Sequence, residues 1–441
     1  MEGSILKLSS KHLVNTSILI YLLYAFFADL IGVIFRAPIY RYSLWLFSII
    51  LIMIATRSFR GFKMKKSMFA IIMISLAFVI VRNQAFANHD YMTTVRWLYC
   101  FIFSIILIKR PDSYEKALNY IVRIGLIHVI ATYIFFMVPT QYSSMFRIWG
   151  YWPSGTLSGR LGYKAALTNN YSRNGIMLAI SYLAIFAIIL SMSKMQKKKM
   201  YARKLNFLKI IFVLAVFATV LTTKRAHLVF GILAILIVYY FCNPEKVGNR
   251  AFKLIIIGIV GVIGLTIAAQ YVPAISDLFE RFTSIEEDSH LQSRFTFWML
   301  ALRMFIQSPI IGNGWFAFRY QYRLNLYDTS IRAARYELLD CHNVYIQLLA
   351  ETGIIGLLFY LGIVIYILVI TFRLIRNHRE NLEKNNLYAP VIFSAMMQIF
   401  YLLYSITGNC LYDITSAFYF MSVAIAMGGY YRIKKQGWIV K

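Results

Sequence analysis

Apolar runs long enough to cross a bilayer recur along the whole chain, and they restrict it to one fold class. Of the 441 residues, 60% are hydrophobic and only 15% are charged, whereas a soluble domain carries about 25% charged residues. A spanning helix needs roughly 20 mainly apolar residues. The sequence therefore predicts an all-α polytopic membrane protein that forms a single integral membrane domain over residues 1–441. About twelve transmembrane helices are predicted, at 17–35, 42–56, 67–81, 95–108, 117–138, 172–192, 206–222, 226–242, 254–271, 353–372, 388–406 and 411–430.

Lysines and arginines predict how these spans are oriented, because cytoplasmic loops of membrane proteins carry an excess of both. With the N-terminus placed in the cytoplasm, 28 of the 46 lie on the inner side and 17 on the outer side, and Arg123 lies within a span. Both termini are then cytoplasmic. This orientation and contact with anionic lipid account for the net charge of +28. We therefore predict membrane lipids, and no nucleic acid, as partners.

Two outer segments are long enough to require structure or function of their own, 139–171 and 272–352, the second before the tenth span. The first is rich in tryptophan and tyrosine, which would stack on sugar rings or, in the simpler interpretation, form an interfacial belt. In the second, residues 289–309 have the pattern of an amphipathic helix that ends before Pro309. The stretch "IGNGW" (311–315) then predicts a turn.

The outer cations are almost all arginines. The outer side has 15 arginines and two lysines, whereas 19 of the 21 lysines are inside. Residues 272–341 alone contain seven arginines and no lysine. Arginine offers a planar fork that binds carboxylate or phosphate bidentately. Pairing with the eight acids of the same segment is the simpler explanation, and binding of an anionic ligand by some of the arginines is the alternative.

The stretch "DCHNVYIQLLAETGIIG" (340–356) places polar residues in front of an apolar span. Asp340 or Asn343 is expected to cap a helix that begins there. His342 lies about 11 residues, or roughly 16 Å, before Gly353, where the span is expected to begin. The positive end of such a helix suits a bound diphosphate with a general base beside it. From these residues alone, a capping or interfacial histidine is the simpler interpretation.

A tight outer turn, "LTTKRAHLVF" (221–230), separates two apolar runs and carries Lys224, Arg225 and His227. Cations at the translocated end of a span are costly and therefore suggest a bound partner. The alternative is that their side chains extend to the lipid headgroups, and the sequence leaves both open.

Other site classes are disfavoured by spacing or composition. Glu351 is nine residues from His342 and points to nearly the opposite helix face, so we do not expect the two to pair. No zinc or calcium motif occurs, and no metal or cofactor is predicted. The pairing state of Cys341 and Cys410 is left open. Ion-coupled transporters usually need more intramembrane charge than this chain offers, which is chiefly Asp29, Arg123 and His128.

Three motifs of the second half point to one family. The first is His342-Asn343 followed, after nine residues, by Gly353-Ile354-Ile355-Gly356. The second is Arg294 with Trp298, ahead of a proline and a Gly-x-Gly turn. The third is "TTKRAHL" (222–228), in which Lys224-Arg225-Ala226 is a looser match to the usual Ser-Arg-Gly. Together they resemble the O-antigen polymerase and O-antigen ligase superfamily of bacterial envelope polysaccharide enzymes.

The resemblance implies a GT-C-like fold and a glycan donor carried on undecaprenyl diphosphate at the outer leaflet. It implies that Arg225 and Arg294 bind the diphosphate and that His342 is the catalytic base toward the acceptor hydroxyl. The candidate supporting residues are Asn343, Arg160 and Lys224.

The function expected from this resemblance is metal-independent, inverting transfer at the outer face of the bacterial cytoplasmic membrane. A polymerase would join repeat units of a capsule, exopolysaccharide or O-antigen, with a glycan acceptor and a chain-length regulator as partners. A ligase would move the glycan to lipid A-core or another acceptor. A polysaccharide flippase is a non-enzymatic alternative, and it predicts more intramembrane charge than is present.

Overall fold

The fold is helical throughout the part of the chain that can be described. The computed structural model describes residues 2–56, 88–139, 162–192, 199–242, 289–324 and 339–437, together with residues 70, 73–74, 76–77, 80, 82–84 and 270. Every regular element in these ranges is an α-helix or a 3-10 helix. The α-helices are α1 (Glu2–Ile34), α2 (Pro38–Thr56), α3 (Tyr91–Leu107), α4 (Tyr114–Met137), α5 (Tyr171–Met192), α6 (Lys199–Leu221), α7 (Arg225–Cys242), α8 (Ser289–Gln307), α9 (Val344–Asn377), α10 (Arg379–Lys384), α11 (Tyr388–Tyr404) and α12 (Thr415–Lys435).

Six of the described helices are long and apolar enough to cross a membrane, which confirms a polytopic membrane protein. They are Ser10–Ile34, Pro38–Thr56, Pro111–Met137, Tyr171–Met192, Ala202–Leu221 and Val344–Asn377. Three shorter apolar helices accompany them: Tyr91–Leu107, Arg225–Phe241 and Tyr388–Tyr404.

The number of twelve spans stays a prediction. The predicted span 254–271 lies outside the described residues except for residue 270, and 67–81 is described at only six positions. The predicted span 411–430 corresponds to α12, which begins later, at Thr415, and is not among the apolar helices. Hydroxyl-bearing residues and glycines interrupt its apolar sequence.

The N-terminal helices pack against the C-terminal pair. The Tyr21 hydroxyl of α1 donates to the Ala417 carbonyl of α12 at 2.8 Å. The Tyr114 hydroxyl of α4 donates to the Ala424 carbonyl, about two turns further along α12, at 3.0 Å. Both tyrosines are fully buried. Because each buried hydroxyl finds an acceptor on the distant helix, these contacts join the two ends of the chain.

Helix α9 breaks at Gly353, nine residues after it begins. Gly353 has φ 65° and ψ −170°, a backbone conformation available essentially to glycine alone. A Cβ at this position would lie 2.3 Å from the Ile310 carbonyl oxygen. The break lets a turn outside the helix supply acceptors: the Ile354 and Ile355 N–H groups donate to the Pro309 and Ile310 carbonyls at 2.9 and 3.4 Å. The residue at which the span was expected to begin, Gly353, is therefore the point at which the helix is interrupted.

The predicted turn at 311–315 binds the backbone carbonyls on the N-terminal side of this break. The N–H groups of Asn313 and Gly314 donate to the carbonyls of Ala350 and Glu351 at 3.1 and 2.8 Å. Gly312, with φ 69°, approaches so closely that a Cβ would lie 2.3 Å from the Glu351 backbone. Polar backbone groups freed by a break in a membrane helix need partners, and here the turn satisfies both halves. The helix predicted to end before Pro309 is confirmed as α8.

Candidate functional site

The backbone at His342 is held in a left-handed conformation by two other segments. His342 has φ 57°, which is uncommon for a residue with a side chain and costs of order 1 kcal/mol or more. Its N–H donates to the Asn409 side-chain oxygen at 2.9 Å. On either side, the Cys341 N–H donates to Gln347 Oε1 at 2.9 Å and the Val344 N–H donates to the Ser405 carbonyl at 2.9 Å. Persistent strain of this kind is typical of functional positions.

Asn409 also contacts the ring of His342. Because its oxygen accepts the His342 N–H, its amide nitrogen is the atom that faces Nδ1, at 3.4 Å. An amide N–H₂ can only donate, so Nδ1 carries the lone pair and Nε2 the proton in the neutral ring. An imidazolium, which donates from both nitrogens, would face a second donor at Nδ1. Asn409 therefore favours the neutral ring, the form that can accept a proton.

Asn343 caps α9, as its position in the sequence predicted. Its side-chain oxygen accepts the N–H groups of Tyr345 and Ile346 at 3.0 and 3.1 Å. Its side chain is buried. Asn343 therefore acts on His342 through the helix start that it stabilises.

Asp340, the other candidate cap, forms an ion pair with Arg319 at 3.3 Å. Burial raises the pKa of this carboxyl, and the Arg319 guanidinium acts in the opposite direction. This ion pair joins the segment before His342 to the 3-10 helix Ala317–Leu324.

Glu351 is fully buried and organises the turn beside the break in α9. Its carboxylate accepts the N–H groups of Phe316 and Phe318, both at 3.1 Å. It also accepts a hydrogen bond from the Gln347 amide at 3.0 Å and one from the Tyr412 hydroxyl at 2.7 Å. These four bonds satisfy the buried carboxylate without a contribution from His342. This agrees with the nine-residue spacing of His342 and Glu351, from which no pairing was expected. Glu351 therefore holds the segment from Phe316 to Phe318 against α9.

A second polar cluster lies where the 222–224 turn meets the end of α11. The His227 ring packs on Tyr404 with centroids 4.6 Å apart, and its Nε2 lies 3.4 Å from the Ser172 hydroxyl. The Lys224 ammonium lies over the Tyr171 ring, 4.2 Å from its centroid, which is within range for a cation–π contact. Arg225 is the first residue of α7. The predicted cationic turn is therefore packed against the first turn of α5.

Arg294 of α8 connects this cluster with the histidine. Its guanidinium interacts electrostatically with the Tyr404 hydroxyl. One helical turn later, Phe297 packs on the His342 ring with centroids 6.2 Å apart. Tyr404 is followed by Ser405, whose carbonyl accepts the Val344 N–H. The end of α11 therefore contacts both the cationic turn and the histidine segment, and Arg294 acts on it electrostatically.

Arg160 is the one candidate residue that this structure leaves aside, because it lies in 140–161, outside the described residues. Trp149, Tyr151 and Trp152 fall in the same range. Cys341 and Cys410 are both buried free thiols. Within the described part of the chain, no group of three or more histidine, cysteine or acidic side chains could hold a metal ion.

Sequence reasoning missed Asn409 and Tyr404. Asn409 lies 67 residues after His342, in "SITGNC" (405–410), where a Gly-Asn pair indicates a turn and nothing more. Tyr404 reads as one more interfacial aromatic residue at the end of a span. Neither had a signal that could link it to the histidine, since both contacts depend on how α11 packs against α9.

A comparison with protein families finds a match in the part of the chain that contains these site residues. Residues 210–361, roughly a third of the chain, match the family model described as O-antigen ligase. A search of curated proteins finds no significant match. The matched segment contains the cationic turn at Arg225, the α8 motif at Arg294 and the His342-Asn343 motif with its glycine pair. The resemblance to the O-antigen polymerase and O-antigen ligase superfamily is thereby confirmed over the segment that carries all three motifs.

Proposed function

We propose that this protein is a membrane glycosyltransferase that polymerises lipid-linked repeat units of a bacterial surface polysaccharide. One observation carries the proposal: α8, which contains Arg294, packs through Phe297 on His342, while His227 of the cationic turn packs on Tyr404, the last residue of α11, next to the Ser405 carbonyl that accepts the Val344 N–H. The donor would be a glycan on undecaprenyl diphosphate, and the acceptor would be a second glycan. The reaction would take place at the outer face of the cytoplasmic membrane, with both termini in the cytoplasm.

The arginines would act on the leaving group. When the acceptor oxygen attacks the anomeric carbon, the bond to the diphosphate oxygen breaks and its electron pair moves to the diphosphate. Two arginine forks can hold this developing charge without a metal ion, because each makes two parallel hydrogen bonds. Arg225 and Arg294 are assigned this role, and Lys224 supports them as a nearby cation. One displacement of this kind inverts the anomeric centre.

His342 would take the proton of the acceptor hydroxyl as the new bond forms. A hydroxyl is a weak nucleophile, and a positioned general base contributes about 10²- to 10⁴-fold to such a step. The contact of Nδ1 with Asn409 is long, at 3.4 Å, so an entering hydroxyl can replace it. The fixed backbone of His342 presents the ring in one place, which lowers the cost of orienting it.

The lipid part of the donor would occupy an apolar cavity beside the break in α9. This cavity has a volume of about 160 Å³, lies between α3, α9 and α12, and is lined by Trp97, Trp315, Gly356 and Phe420 among others. Its lining is almost entirely apolar, as a polyprenyl chain requires.

A ligase is the second candidate function, and the description of the matching family favours it. The donor and the two arginines that bind its diphosphate would be the same, and the acceptor would be lipid A-core or another molecule. The two functions therefore differ only in which hydroxyl reaches His342.

The test is a reconstitution of the purified protein with lipid-linked oligosaccharides isolated from the producing cells, followed by mass spectrometry of the products. Chain growth with the donor alone supports the polymerase. Transfer that requires an added acceptor supports the ligase. Absence of both reactions in a folded protein that binds the donor would overturn the proposed function. His342→Ala is the matched variant, expected to bind the donor and to lose turnover.

A further inference from the structure

A second cavity, lined by cationic residues, lies between α1, α2, α3 and α5. It has a volume of about 240 Å³. Three arginines from three helices line it: Arg41 of α2, Arg96 of α3 and Arg173 of α5. Asp29 is the single acid among the described lining residues. The predicted topology puts all of them at the outer ends of their helices.

The arginines keep a positive charge in this cavity. Arg173 forms an ion pair with Asp29, whose other oxygen accepts the Asn169 N–H at 2.9 Å. Arg41 donates to the Arg36 carbonyl at 3.4 Å and Arg96 to the Tyr412 carbonyl at 3.0 Å. A carbonyl satisfies an N–H group but does not neutralise the guanidinium. Among the described lining residues Arg41 and Arg96 therefore have no acid to pair with, and Asp340 and Asp413, outside the lining, interact with Arg96 electrostatically.

Two hydrogen-bond donors at this cavity are buried without an acceptor in the described part of the chain. They are the Arg41 Nε and the Trp45 Nε1. Trp45 is only 2% exposed and is among the lining residues. Buried donors in folded proteins are nearly always paired, and an exception calls for a missing partner. An oxyanion in the cavity would balance the charge of the arginines, whereas these two donors have almost no accessible surface and stay outside its direct reach.

The arginines of the cavity act electrostatically on the His342 segment and on the segment that follows Asn409. The guanidinium groups of Arg96 and Arg173 act to lower the pKa of Asp340, which burial raises. They act in the same direction on the pKa of Asp413, which burial also raises. Arg96 is bonded to the Tyr412 backbone, three residues after Asn409.

The first turn of α5 lies between this cavity and the polar cluster that contains Lys224, His227 and Tyr404. Ser172 contacts His227 of that cluster. The next residue, Arg173, lines the arginine cavity. The cavity and the cluster are therefore neighbouring but distinct sites at the same end of the helix bundle.

We propose that this cavity is a second oxyanion subsite, which binds a phosphate or carboxylate group of the acceptor glycan. It rests on the proposed function, since glycosyl transfer needs an acceptor held beside His342 as well as a donor diphosphate. Arg41 and Arg96 bind the anion through the terminal nitrogens of their guanidinium groups. Arg173 contributes charge, and its pairing with Asp29 fixes its position.

The first experiment measures binding of inorganic phosphate to the full-length protein in phosphatidylcholine nanodiscs by isothermal titration calorimetry. Arg41→Gln and Arg96→Gln are expected to weaken one class of site by about tenfold or more, because each removes a charged hydrogen-bonding partner. Arg36→Gln is the matched control, an exposed arginine five residues from Arg41 that does not line the cavity. Unchanged phosphate binding in both cavity variants would overturn the subsite.

Two further arms identify the anion and separate the two proposals. Nanodiscs that contain phosphatidylglycerol test the lipid source: if this lipid abolishes phosphate binding at the cavity, the site holds a headgroup and the acceptor assignment is wrong. In the transfer assay, Arg41→Gln should raise the KM for the acceptor about tenfold with little change in kcat. Phosphate binding that depends on Arg41 and Arg96, but not on Arg225 and Arg294, supports the subsite even if no transfer is ever observed.

Discussion

At the scale of single residues, the histidine site is defined by what surrounds His342. Its φ of 57° is maintained because Asn409 accepts its N–H and because Cys341 and Val344 are bonded to other parts of the chain. The same asparagine presents its amide nitrogen to Nδ1. One side chain therefore contacts both the backbone and the ring of His342.

Asn409→Asp should change the pH dependence of turnover. A carboxylate at this position would accept a hydrogen bond from the ring and favour the imidazolium. We expect the acidic limb of the pH–rate profile to move to higher pH and turnover at neutral pH to fall. Asn381→Asp, on α10, is the control and should leave the profile in place. An unmoved profile in the Asn409 variant would show that the asparagine does not set the protonation of His342.

Arg225→Lys and Arg294→Lys should each lower turnover by about 10- to 100-fold while the charge is kept. Lysine is a point charge and cannot make the two parallel hydrogen bonds of the arginine fork. The measurement is single-turnover glycosyl transfer together with donor affinity. Wild-type values in both variants would exclude these arginines from the diphosphate site.

At the scale of elements, the break in α9 and the turn after α8 depend on each other. The turn donates to the Ala350 and Glu351 carbonyls, and the second half of α9 donates to the Pro309 and Ile310 carbonyls. In a membrane, backbone groups left unpaired by a helix break would be costly. The Gly-x-Gly turn and the break at Gly353 therefore stabilise each other through backbone hydrogen bonds.

Gly353→Ala should strongly destabilise the protein, by more than about 3 kcal/mol, because it combines a glycine-only conformation with a clash against the Ile310 carbonyl. Gly362→Ala, further along the same helix, is the matched control. A Cβ at Gly362 meets nothing within 4 Å, so this change should be neutral or slightly stabilising. Thermal unfolding of both variants in nanodiscs measures the difference, and equal Tm values would refute the described geometry of the break.

Glu351→Gln should destabilise the protein by about 1–3 kcal/mol. The carboxylate accepts four hydrogen bonds, and an amide at this position would place an N–H₂ donor against another donor. Tyr412→Phe removes one of these bonds without creating such a conflict and should cost about 1 kcal/mol. Thermal unfolding should therefore rank the two variants in this order. The reverse order would contradict the role of Glu351 as an acceptor for the loop.

At the scale of the whole molecule, the predicted topology places the candidate site residues at one end of the helix bundle. The cationic turn before α7, the His342 segment and the arginine cavity all lie at helix ends that the positive-inside rule assigns to the outer face. Buried tyrosines of α1 and α4 bind these N-terminal helices to α12. The cavity and the histidine are thereby parts of one packed structure.

Topology reporters test this orientation directly. Alkaline phosphatase, active only outside the cytoplasm, should be active when fused within 139–171 and inactive when fused within 194–204. A green fluorescent protein fused to the C-terminus should fluoresce in the cytoplasm. Active phosphatase at 194–204 would reverse the topology and place His342 on the inner side.

Local patterns in the sequence were enough to predict the helical class, the extent of α8, the turn after Pro309 and the cap at Asn343. Each depends on hydropathy, capping or turn chemistry within a few residues. The contact of Asn409 with His342, the bonds of Glu351 to Phe316, Phe318 and Tyr412, and the packing of His227 on Tyr404 were decided by the tertiary structure. They join residues dozens of positions apart, and only the packing of the helices brings these groups within hydrogen-bonding or contact distance. The arginine cavity has the same origin, because Arg41, Arg96 and Arg173 share no local pattern and become one site only when α2, α3 and α5 pack together.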